Sequence, residues 1–282
     1  MQNLPTFVLV HGAFANSFSF APLQAELALL GHRSAAVDLV GHGFEATFPA
    51  AYQAPQDLAA LAAAPGSIKG VTLADNAARV IEVLERAKRN GPTILVGHSR
   101  GGVTITAAAN ARPDLIDRIV YASAWCPVEL TDYYGEPEMA DVDPAAFAPA
   151  MAGNPAELGL IRMNFRTADP GVLAAMRQAF AADLTDDEFH TFLNTFQPDE
   201  NLDFGAADDR AQAATWGKVP KTFVRLTDDA SIPLAMQDRM IREADALTPD
   251  NPFDVRTLQG SHLQWLVRPK PAAELLANLA AS

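Results

Sequence analysis

Ser99 lies in a sequence context that favours nucleophilic chemistry, within the segment Gly97-His98-Ser99-Arg100-Gly101-Gly102. The β-rich run Thr93–Val96 comes directly before this segment, and a helical pattern begins near Val103. A serine held in a sharp turn between a strand and a helix needs small residues two positions before and after it, because the strand and the helix pass closely there. Glycine occupies both positions. The spacing therefore predicts a nucleophilic serine rather than an ordinary turn serine.

Two backbone N–H groups are candidates for stabilising an oxyanion beside Ser99. The N-terminus of the predicted helix would present the free N–H of Arg100. A second donor should come from the loop after the first predicted strand, where His11-Gly12-Ala13 stands, and the candidate is the N–H of Ala13. Because Arg100 would act through its backbone, we expect its side chain to contact a lid or to lie at the rim of the site.

A serine hydroxyl is a poor nucleophile until a base accepts its proton. Of the six histidines, His262 lies just after the last predicted strand and before the last predicted helix, which favours it as the general base. His11 and His98 are expected to be structural, with imidazoles bonded to backbone near the site. The other three histidines are expected in loops or on the surface: His32, His42 and His190.

The acid that would orient His262 should follow the preceding strand, where Thr227-Asp228-Asp229-Ala230 offers two carboxylates. Neighbours in an extended segment point in opposite directions, so only one of the two can face His262. Glu129, after an earlier strand, is a further alternative. These residues by themselves leave the choice of acid open.

Short apolar strands alternate with longer helical patterns, which is typical of a parallel sheet covered by helices on both faces. The predicted strands are Thr6–Val10, Ser34–Val37, Thr93–Val96, Arg118–Ala122, Lys221–Leu226 and Phe253–Leu258. The predicted helices are Phe20–Leu30, Thr72–Lys88, Val103–Asn110, Pro233–Ala244 and Pro271–Ala281. The pattern predicts an α/β core over residues 1–127 and 216–282.

Residues 128–215 differ from this core, because they contain several helix starts but no strand of convincing length. Three sites place a capping side chain before a proline at the first helical position: Asp143-Pro144, Asn154-Pro155 and Asp169-Pro170. Thr185–Glu188 has the form of a capping box. A helical lid is predicted. Nine of its Met and Phe side chains are attributed mostly to packing, with pocket lining by several of them as the alternative: Phe147, Met151, Met163, Phe165, Met176, Phe180, Phe189, Phe192 and Phe196. Residues 44–71 are predicted to be an ordered insertion near the functional rim.

Composition restricts the possible partners. The formal net charge is −13 and no Lys/Arg run or basic stripe occurs, so the sequence predicts no nucleic-acid partner. Cys126 is the single cysteine and no Cys/His cluster has zinc-ligand spacing, which argues against an internal disulfide and a structural metal. No run of about 18 apolar residues and no basic region before an apolar N-terminal segment is present. We therefore expect a cytoplasmic protein without a membrane partner.

Several segments together resemble the α/β-hydrolase branch of plant methylesterases, hydroxynitrile lyases and bacterial pyrethroid-hydrolase-like esterases. The segments are VLVHGAFANSF, VGHSRGG, RIVYASAWCP, LTDDASIPLAMQDRM and SHLQW. The resemblance covers most of the chain and is weakest in residues 44–71 and 128–215. It implies the α/β-hydrolase fold and a triad in the chain order Ser99, Asp229, His262. The spacing Asp229-x-x-Ile232-Pro233 is similar to a turn of this fold, and it implies Asp229 rather than Asp228 as the acid.

This resemblance implies a serine hydrolase that cleaves an ester, lactone or thioester of a small to medium hydrophobic substrate through an acyl-enzyme. It implies no cofactor, and a small-molecule substrate as partner. Ala13 and Arg100 would supply the oxyanion hole. Phe14 and Trp125 are candidates for the substrate pocket, and Trp125 follows a strand on its carboxyl side, where ligands of open α/β sheets bind.

Two other functions are compatible with parts of this pattern. One is a lyase or cyclase that uses His262 for proton transfer without an acyl-enzyme. Hydroxynitrile lyases of this branch carry Thr after the first-strand histidine and Lys after the catalytic histidine, whereas Gly12 and Leu263 stand here, which disfavours lyase chemistry. The other is a binding module, which would have no use for a complete triad. The oligomeric state is left open by the sequence.

Overall fold

The computed structural model describes residues 4–129 and 133–280. In chain order, the strands of this part are β1 Thr6–Val10, β2 Arg33–Val37, β3 Thr93–Ser99, β4 Arg118–Ala124, β5 Ile161–Arg162, β6 Asp199–Glu200, β7 Lys221–Leu226 and β8 Asp254–Leu258. Six of them form one parallel sheet in the order β2-β1-β3-β4-β7-β8, and β5 and β6 pair separately in antiparallel fashion.

Helices cover both faces of the six-stranded sheet. In chain order, the α-helices of the described residues are α1 Ala21–Leu29, α2 Leu58–Ala63, α3 Leu73–Lys88, α4 Gly101–Ala111, α5 Pro155–Leu158, α6 Pro170–Phe180, α7 Asp186–Leu193, α8 Leu234–Leu247, α9 Gln264–Val267 and α10 Lys270–Ala280. This arrangement confirms the predicted α/β architecture. None of the helices in the described ranges has the length and apolar character needed to cross a lipid bilayer.

The two faces of the sheet bury separate apolar clusters. Successive side chains of a strand point to opposite faces, so β1 contributes to both clusters. Val8 and Val10 pack with residues of α3, α4 and α8, whereas Phe7 and Leu9 pack with residues of α1 and α10. All four side chains are fully buried, which explains why β1 is continuously apolar instead of alternating.

Element boundaries differ from the predictions mainly where the chain enters the site. β3 continues to Ser99 and β4 to Ala124, beyond the apolar runs that predicted them, and α4 begins at Gly101 rather than near Val103. The glycines and polar residues at these positions interrupt the apolar pattern, so the sequence did not predict that the strands and the helix extend over them. The predicted end of the last helix, Ala281, lies outside the described residues.

Residues 128–215, called the insertion below, contain helices α5 to α7 and the short β5/β6 pair. Its predicted helix starts are confirmed: the side chains of Asp143, Asn154 and Asp169 each accept a backbone N–H of the turn that follows. Thr185 forms a capping box with Glu188 at the start of α7. These caps satisfy N–H groups that have no partner within the helix.

A buried arginine joins the insertion to residues 44–71, which contain α2. The side chain of Arg162 is fully buried and lies 2.6 Å from the carboxylate of Asp199. Its Nη1 donates to the carbonyl oxygens of Leu61 at 2.8 Å and Ala64 at 2.6 Å. The ion pair lies within the insertion and compensates the buried charge, and the hydrogen bonds to Leu61 and Ala64 join the two inserted segments to each other.

Candidate active site

The predicted site residues gather where the strand order of the sheet reverses. From β1 the chain continues to β2 on one side and then crosses to β3 on the other. The loops after the carboxyl ends of β1 and β3 therefore diverge, which creates the crevice where open α/β sheets bind ligands. His11-Gly12-Ala13 follows β1, and Ser99 ends β3.

Ser99 stands in a strained turn between β3 and α4. Its φ angle is +54°, in the left-handed region that few residues other than glycine adopt. Close packing around the turn excludes larger neighbours: a Cβ on Gly97 would lie 2.7 Å from Ile105, and one on Gly101 would lie 2.6 Å from the carbonyl oxygens of Val10 and His11. These short distances explain why small residues are needed on both sides of the serine, as the sequence predicted.

The loop after β1 approaches the serine closely. A Cβ added to Gly12 would lie 2.7 Å from the Cβ of Ser99 and 3.2 Å from its Oγ. Ala13 and Arg100 both line the same cavity as Ser99. Among the hydrogen bonds of the described residues, none uses the N–H of Ala13 or that of Arg100. Both groups are therefore free to donate to an oxygen beside Ser99.

His262 and Asp229 form a buried pair. The Nδ1 of His262 lies 2.6 Å from Oδ2 of Asp229, and both side chains are almost completely inaccessible to solvent. Asp228 and Glu129, the alternative acids, are exposed. The geometry therefore brings Asp229, and neither alternative, to His262. A carboxylate on Nδ1 holds the imidazole in the tautomer that leaves Nε2 as an acceptor.

Ser99 and His262 both line the cavity, but no hydrogen bond joins their side chains within residues 4–129 and 133–280. The backbone of His262 is held by His98, whose Nε2 lies 3.1 Å from the His262 carbonyl oxygen. Burial, with His262 as a neighbouring imidazole, keeps the pKa of His98 well below its usual range. His98 is therefore neutral and donates this bond.

His11 is also neutral and bonded to the backbone. Its Nε2 accepts the N–H of Leu39 at 3.2 Å, and its Nδ1 lies 2.8 Å from the carbonyl oxygen of Gly12. Burial, together with the nearby His42, lowers the pKa of His11 to about 3. Both structural histidines thus bond to the backbone near the site, as the sequence predicted.

The side chain of Arg100 is buried beneath the insertion. Its Nη1 lies 2.7 Å from Oε1 of Glu200, and Nη2 donates to the carbonyl oxygen of Asp203 at 2.6 Å and to the side chain of Asn201. The guanidinium also lies over the ring of Phe204, 3.8 Å from its centre. The Arg100 side chain was expected either to contact a lid or to lie at the rim of the site. It contacts the insertion and does not lie at the rim.

A cavity of about 390 Å³ opens beside Ser99 and His262. Its walls are predominantly aromatic and aliphatic, and many come from the insertion. Eight of the nine Met and Phe side chains that the sequence attributed mostly to packing line it: Phe147, Met151, Met163, Phe165, Met176, Phe180, Phe192 and Phe196. All of these except Met151 also pack in the apolar cluster that contains Phe7 and Leu9, so they have both of the roles left open by the sequence. Helical spacing cannot distinguish a side chain that faces a cavity from one that faces a core.

Both predicted pocket residues line this cavity. Phe14 packs edge-to-face on Phe165, with ring centres 5.1 Å apart. Trp125 is 8% exposed and stacks on Tyr133 at 4.7 Å, so it serves as a wall between the core and the insertion. Each of these two core residues lies after the carboxyl end of a strand, and each contacts an aromatic ring of the insertion.

Three residues near the site were not predicted. Ser123, at the end of β4, donates its hydroxyl to Oδ2 of Asp229 at 2.5 Å. Glu200 binds Arg100 from the insertion, and His42 lies in a loop as expected but is completely buried against Glu200. A polar residue in the apolar run of β4 could have indicated Ser123. Nothing in the local sequence around Glu200 indicated its contacts, since they join positions far apart in the chain.

The described residues offer no group of three or more His, Cys, Asp or Glu side chains that could hold a metal ion. The polar side chains that line the cavity with Ser99 include His11, His98, Arg100 and His262.

Comparison with known proteins identifies the family. A model of the alpha/beta hydrolase family matches residues 7–277. The chain belongs to this family. It is 26% identical to a pyrethroid hydrolase of Sphingobium wenxiniae over 97% of this chain and 86% of that protein. Two proteins of Arabidopsis thaliana match over shorter stretches: an alpha-hydroxynitrile lyase at 30% identity, over 45% of this chain and 42% of that protein, and methylesterase 2 at 27%, over 43% and 40%.

The solved structures that are similar to this member of the alpha/beta hydrolase family have the same fold. The structure of polyneuridine aldehyde esterase superposes with a TM-score of 0.70 at 19% identity and covers 98% of this chain and 99% of that one. The expected α/β-hydrolase fold and the expected resemblance are therefore confirmed. The esterases among the relatives support a hydrolase that acts on esters in general.

Proposed function

We propose that this alpha/beta hydrolase cleaves carboxylic esters through an acyl-enzyme on Ser99. The observation that carries the proposal is the buried 2.6 Å contact between Asp229 and His262, which lines the same cavity as Ser99. Such a pair supplies a base, because Nε2 of the histidine remains free to accept a proton. In nucleophilic catalysis, a base of this kind activates a serine such as Ser99, which stands in a strained turn.

The steps follow from the positions of the atoms. Oγ of Ser99 attacks the ester carbonyl carbon while Nε2 of His262 takes the hydroxyl proton, and Asp229 stabilises the imidazolium that forms. The N–H groups of Ala13 and Arg100 donate to the oxyanion. The tetrahedral species collapses, the alcohol leaves with the proton from His262, and water activated by the same base then hydrolyses the acyl-enzyme.

The walls of the cavity favour a neutral, hydrophobic ester. Of the described residues that line it, Arg100 alone carries a permanent charge, and its guanidinium is occupied by Glu200 and Asn201. An anionic substrate would therefore find no free cation, and the net charge of −13 would repel it. The pyrethroid hydrolase relative makes hydrophobic esters of that type the first substrates to try. Within this proposal, the insertion acts as a lid over the reacting ester.

Labelling with a fluorophosphonate tests the nucleophile. Intact mass should show one adduct on the wild-type protein and none on Ser99→Ala, whose fold is checked by thermal unfolding. In parallel, p-nitrophenyl esters of graded chain length and a neutral pyrethroid ester should be hydrolysed by the wild type only. Equal labelling of both proteins would refute the assignment of Ser99.

A further inference from the structure

The carboxylate of Glu200 is bonded to both segments that carry the proposed oxyanion donors. Its Oε1 lies 2.7 Å from Nη1 of Arg100, the residue after Ser99. Its Oε2 accepts the backbone N–H of Phe14, the residue after Ala13, at 2.9 Å. One side chain of the insertion thus connects the loop after β1 to the turn after β3.

Phe14 depends on the insertion for its conformation. Its φ angle is +58°, which is unfavourable for a residue with a side chain, so surrounding contacts must hold it. Both of its backbone polar groups are bonded to the insertion: the N–H donates to Glu200, and the carbonyl oxygen accepts the N–H of Gln197 at 2.9 Å. The neighbouring Ala13 N–H is oriented by the same short loop.

Glu200 is well suited to hold these groups, because its carboxylate is buried and ionised. Burial alone would raise its pKa, but the charge of Arg100 and the nearby His42, with the N–H of Phe14, hold the pKa of Glu200 well below its usual range. Asn201 adds a backbone N–H to Oε1 at 2.9 Å. Hydrogen bonds to a desolvated carboxylate are short and strong, and they fix geometry accordingly.

We propose that Glu200 is a positioning residue for the oxyanion hole, which fixes the N–H groups of Ala13 and Arg100 relative to each other. This inference rests on the proposed function. Glu200 is not among the residues that line the large cavity, so it acts through Phe14 and Arg100 and not by touching substrate. The insertion then contributes to turnover as well as to substrate binding.

The variant Glu200→Gln tests this role, because it keeps the side-chain shape and removes the charge. A displaced oxyanion hole should lower kcat about 10- to 100-fold, less than the roughly 10²- to 10³-fold loss of a donor removed outright. KM for a p-nitrophenyl ester should stay within about twofold, since ground-state binding uses the apolar walls. The inhibition constant of an aryl boronic acid, which forms a tetrahedral adduct on serine, should rise by the same factor as kcat falls.

Asp199→Asn is the matched control. Asp199 precedes Glu200 in β6 and pairs with the buried Arg162 at 2.6 Å, but the hydrogen bonds of its carboxylate go to that arginine and not to the loop after β1. Asp199→Asn should lower the melting temperature and leave kcat and the boronate constant within about twofold per folded enzyme. If Glu200→Gln behaves like this control, Glu200 has only a structural role and the proposal is overturned.

Glu200→Asp keeps the test decisive if Glu200→Gln does not fold. It retains the charge between Arg100 and His42 but is one methylene too short to bond Arg100 and the Phe14 N–H together. The same split is expected, with kcat and boronate affinity reduced and KM retained, and unchanged kinetics would overturn the proposal. Wild-type protein that neither hydrolyses esters nor reacts with a fluorophosphonate would refute the proposed function itself, and this inference with it.

Discussion

Asp229 receives four hydrogen bonds, which divide its two oxygens between different tasks. Oδ1 accepts the backbone N–H groups of Ser231 at 2.7 Å and Ile232 at 2.8 Å. Oδ2 accepts from the hydroxyl of Ser123 at 2.5 Å and faces Nδ1 of His262 at 2.6 Å. The backbone donors therefore fix the carboxylate, so that its second oxygen is presented to the histidine.

This division predicts the effect of Asp229→Asn. The amide oxygen should take the place of Oδ1, because two N–H donors point at it, and the amide nitrogen would then donate to Nδ1 of His262. The proton of the imidazole would move to Nε2, which could no longer accept the proton of Ser99. We expect kcat to fall about 10⁴-fold with little change in the melting temperature, measured by ester hydrolysis and thermal unfolding.

Asp228→Asn is the control for this substitution. Asp228 is the exposed neighbour of Asp229, so kcat should remain within about twofold of the wild type. Comparable losses in the two variants would mean that negative charge in this loop, and not the contact with His262, supports activity.

A second prediction at this scale concerns Gly12. In Gly12→Ala the new Cβ would lie 2.7 Å from the Cβ of Ser99, closer than folded proteins tolerate, so the loop after β1 must move away from the serine. The Ala13 N–H would move with it, and kcat should fall by about 10²- to 10³-fold, as for loss of an oxyanion donor. In Gly70→Ala the added Cβ meets nothing within 4 Å, so this control should affect stability alone.

How much of the site the sequence predicts depends on whether the residues carry a local pattern. Flanking glycines and positions after strands predict Ser99 and His262, and the resemblance of one segment to a turn of this fold implies Asp229. Glu200 has no such pattern, and Ser123 shows only as a polar residue in an apolar run. Their partners Arg100 and Asp229 are 100 and 106 positions away in the chain. Contacts between residues so far apart in the chain depend on tertiary packing, which local sequence propensities do not predict.

At the scale of elements, the insertion is bonded directly to the loop that carries His262. The carboxylate of Asp183, just after α6, accepts the backbone N–H of Ser261 at 3.1 Å and also its hydroxyl. The carbonyl oxygen of Phe180 accepts the N–H of Leu263 at 2.9 Å. Helix starts in the insertion were predicted because capping is local, whereas this contact between the end of α6 and a distant loop was not.

Asp183→Ala should therefore loosen the loop around His262. The N–H of Ser261 would lose its acceptor, so hydrogen exchange over residues 259–263 should accelerate, and kcat should fall about three- to tenfold as His262 becomes less well oriented. Asp187→Ala, on the exposed first turn of α7, is the control and should leave both unchanged. Exchange that is equally slow in both variants would show that Phe180 and the packing alone hold the loop.

At the scale of the whole molecule, burial of neutral histidines makes folding sensitive to acid. Burial lowers the pKa of His11 to about 3 and keeps that of His98 well below its usual range, whereas an unfolded histidine has a value of 6.5. As the pH falls below 6.5, the unfolded chain takes up protons at these two positions that the folded protein does not. The free energy of unfolding must therefore decrease as the pH falls.

This decrease in the free energy of unfolding can be measured between pH 7 and pH 5, above the range in which most carboxylates titrate. Over this interval His11 should lower the free energy of unfolding by about 2 kcal/mol, as determined by urea denaturation, and His98 should lower it further. His98→Gln, which keeps a donor near the His262 carbonyl oxygen, should reduce the pH dependence, whatever its absolute stability. His190→Asn, at an exposed position on α7, should leave the pH dependence as it is in the wild type. An unaltered dependence in His98→Gln would mean that His98 is protonated in the folded protein, and its bond to the backbone of His262 would then be charged.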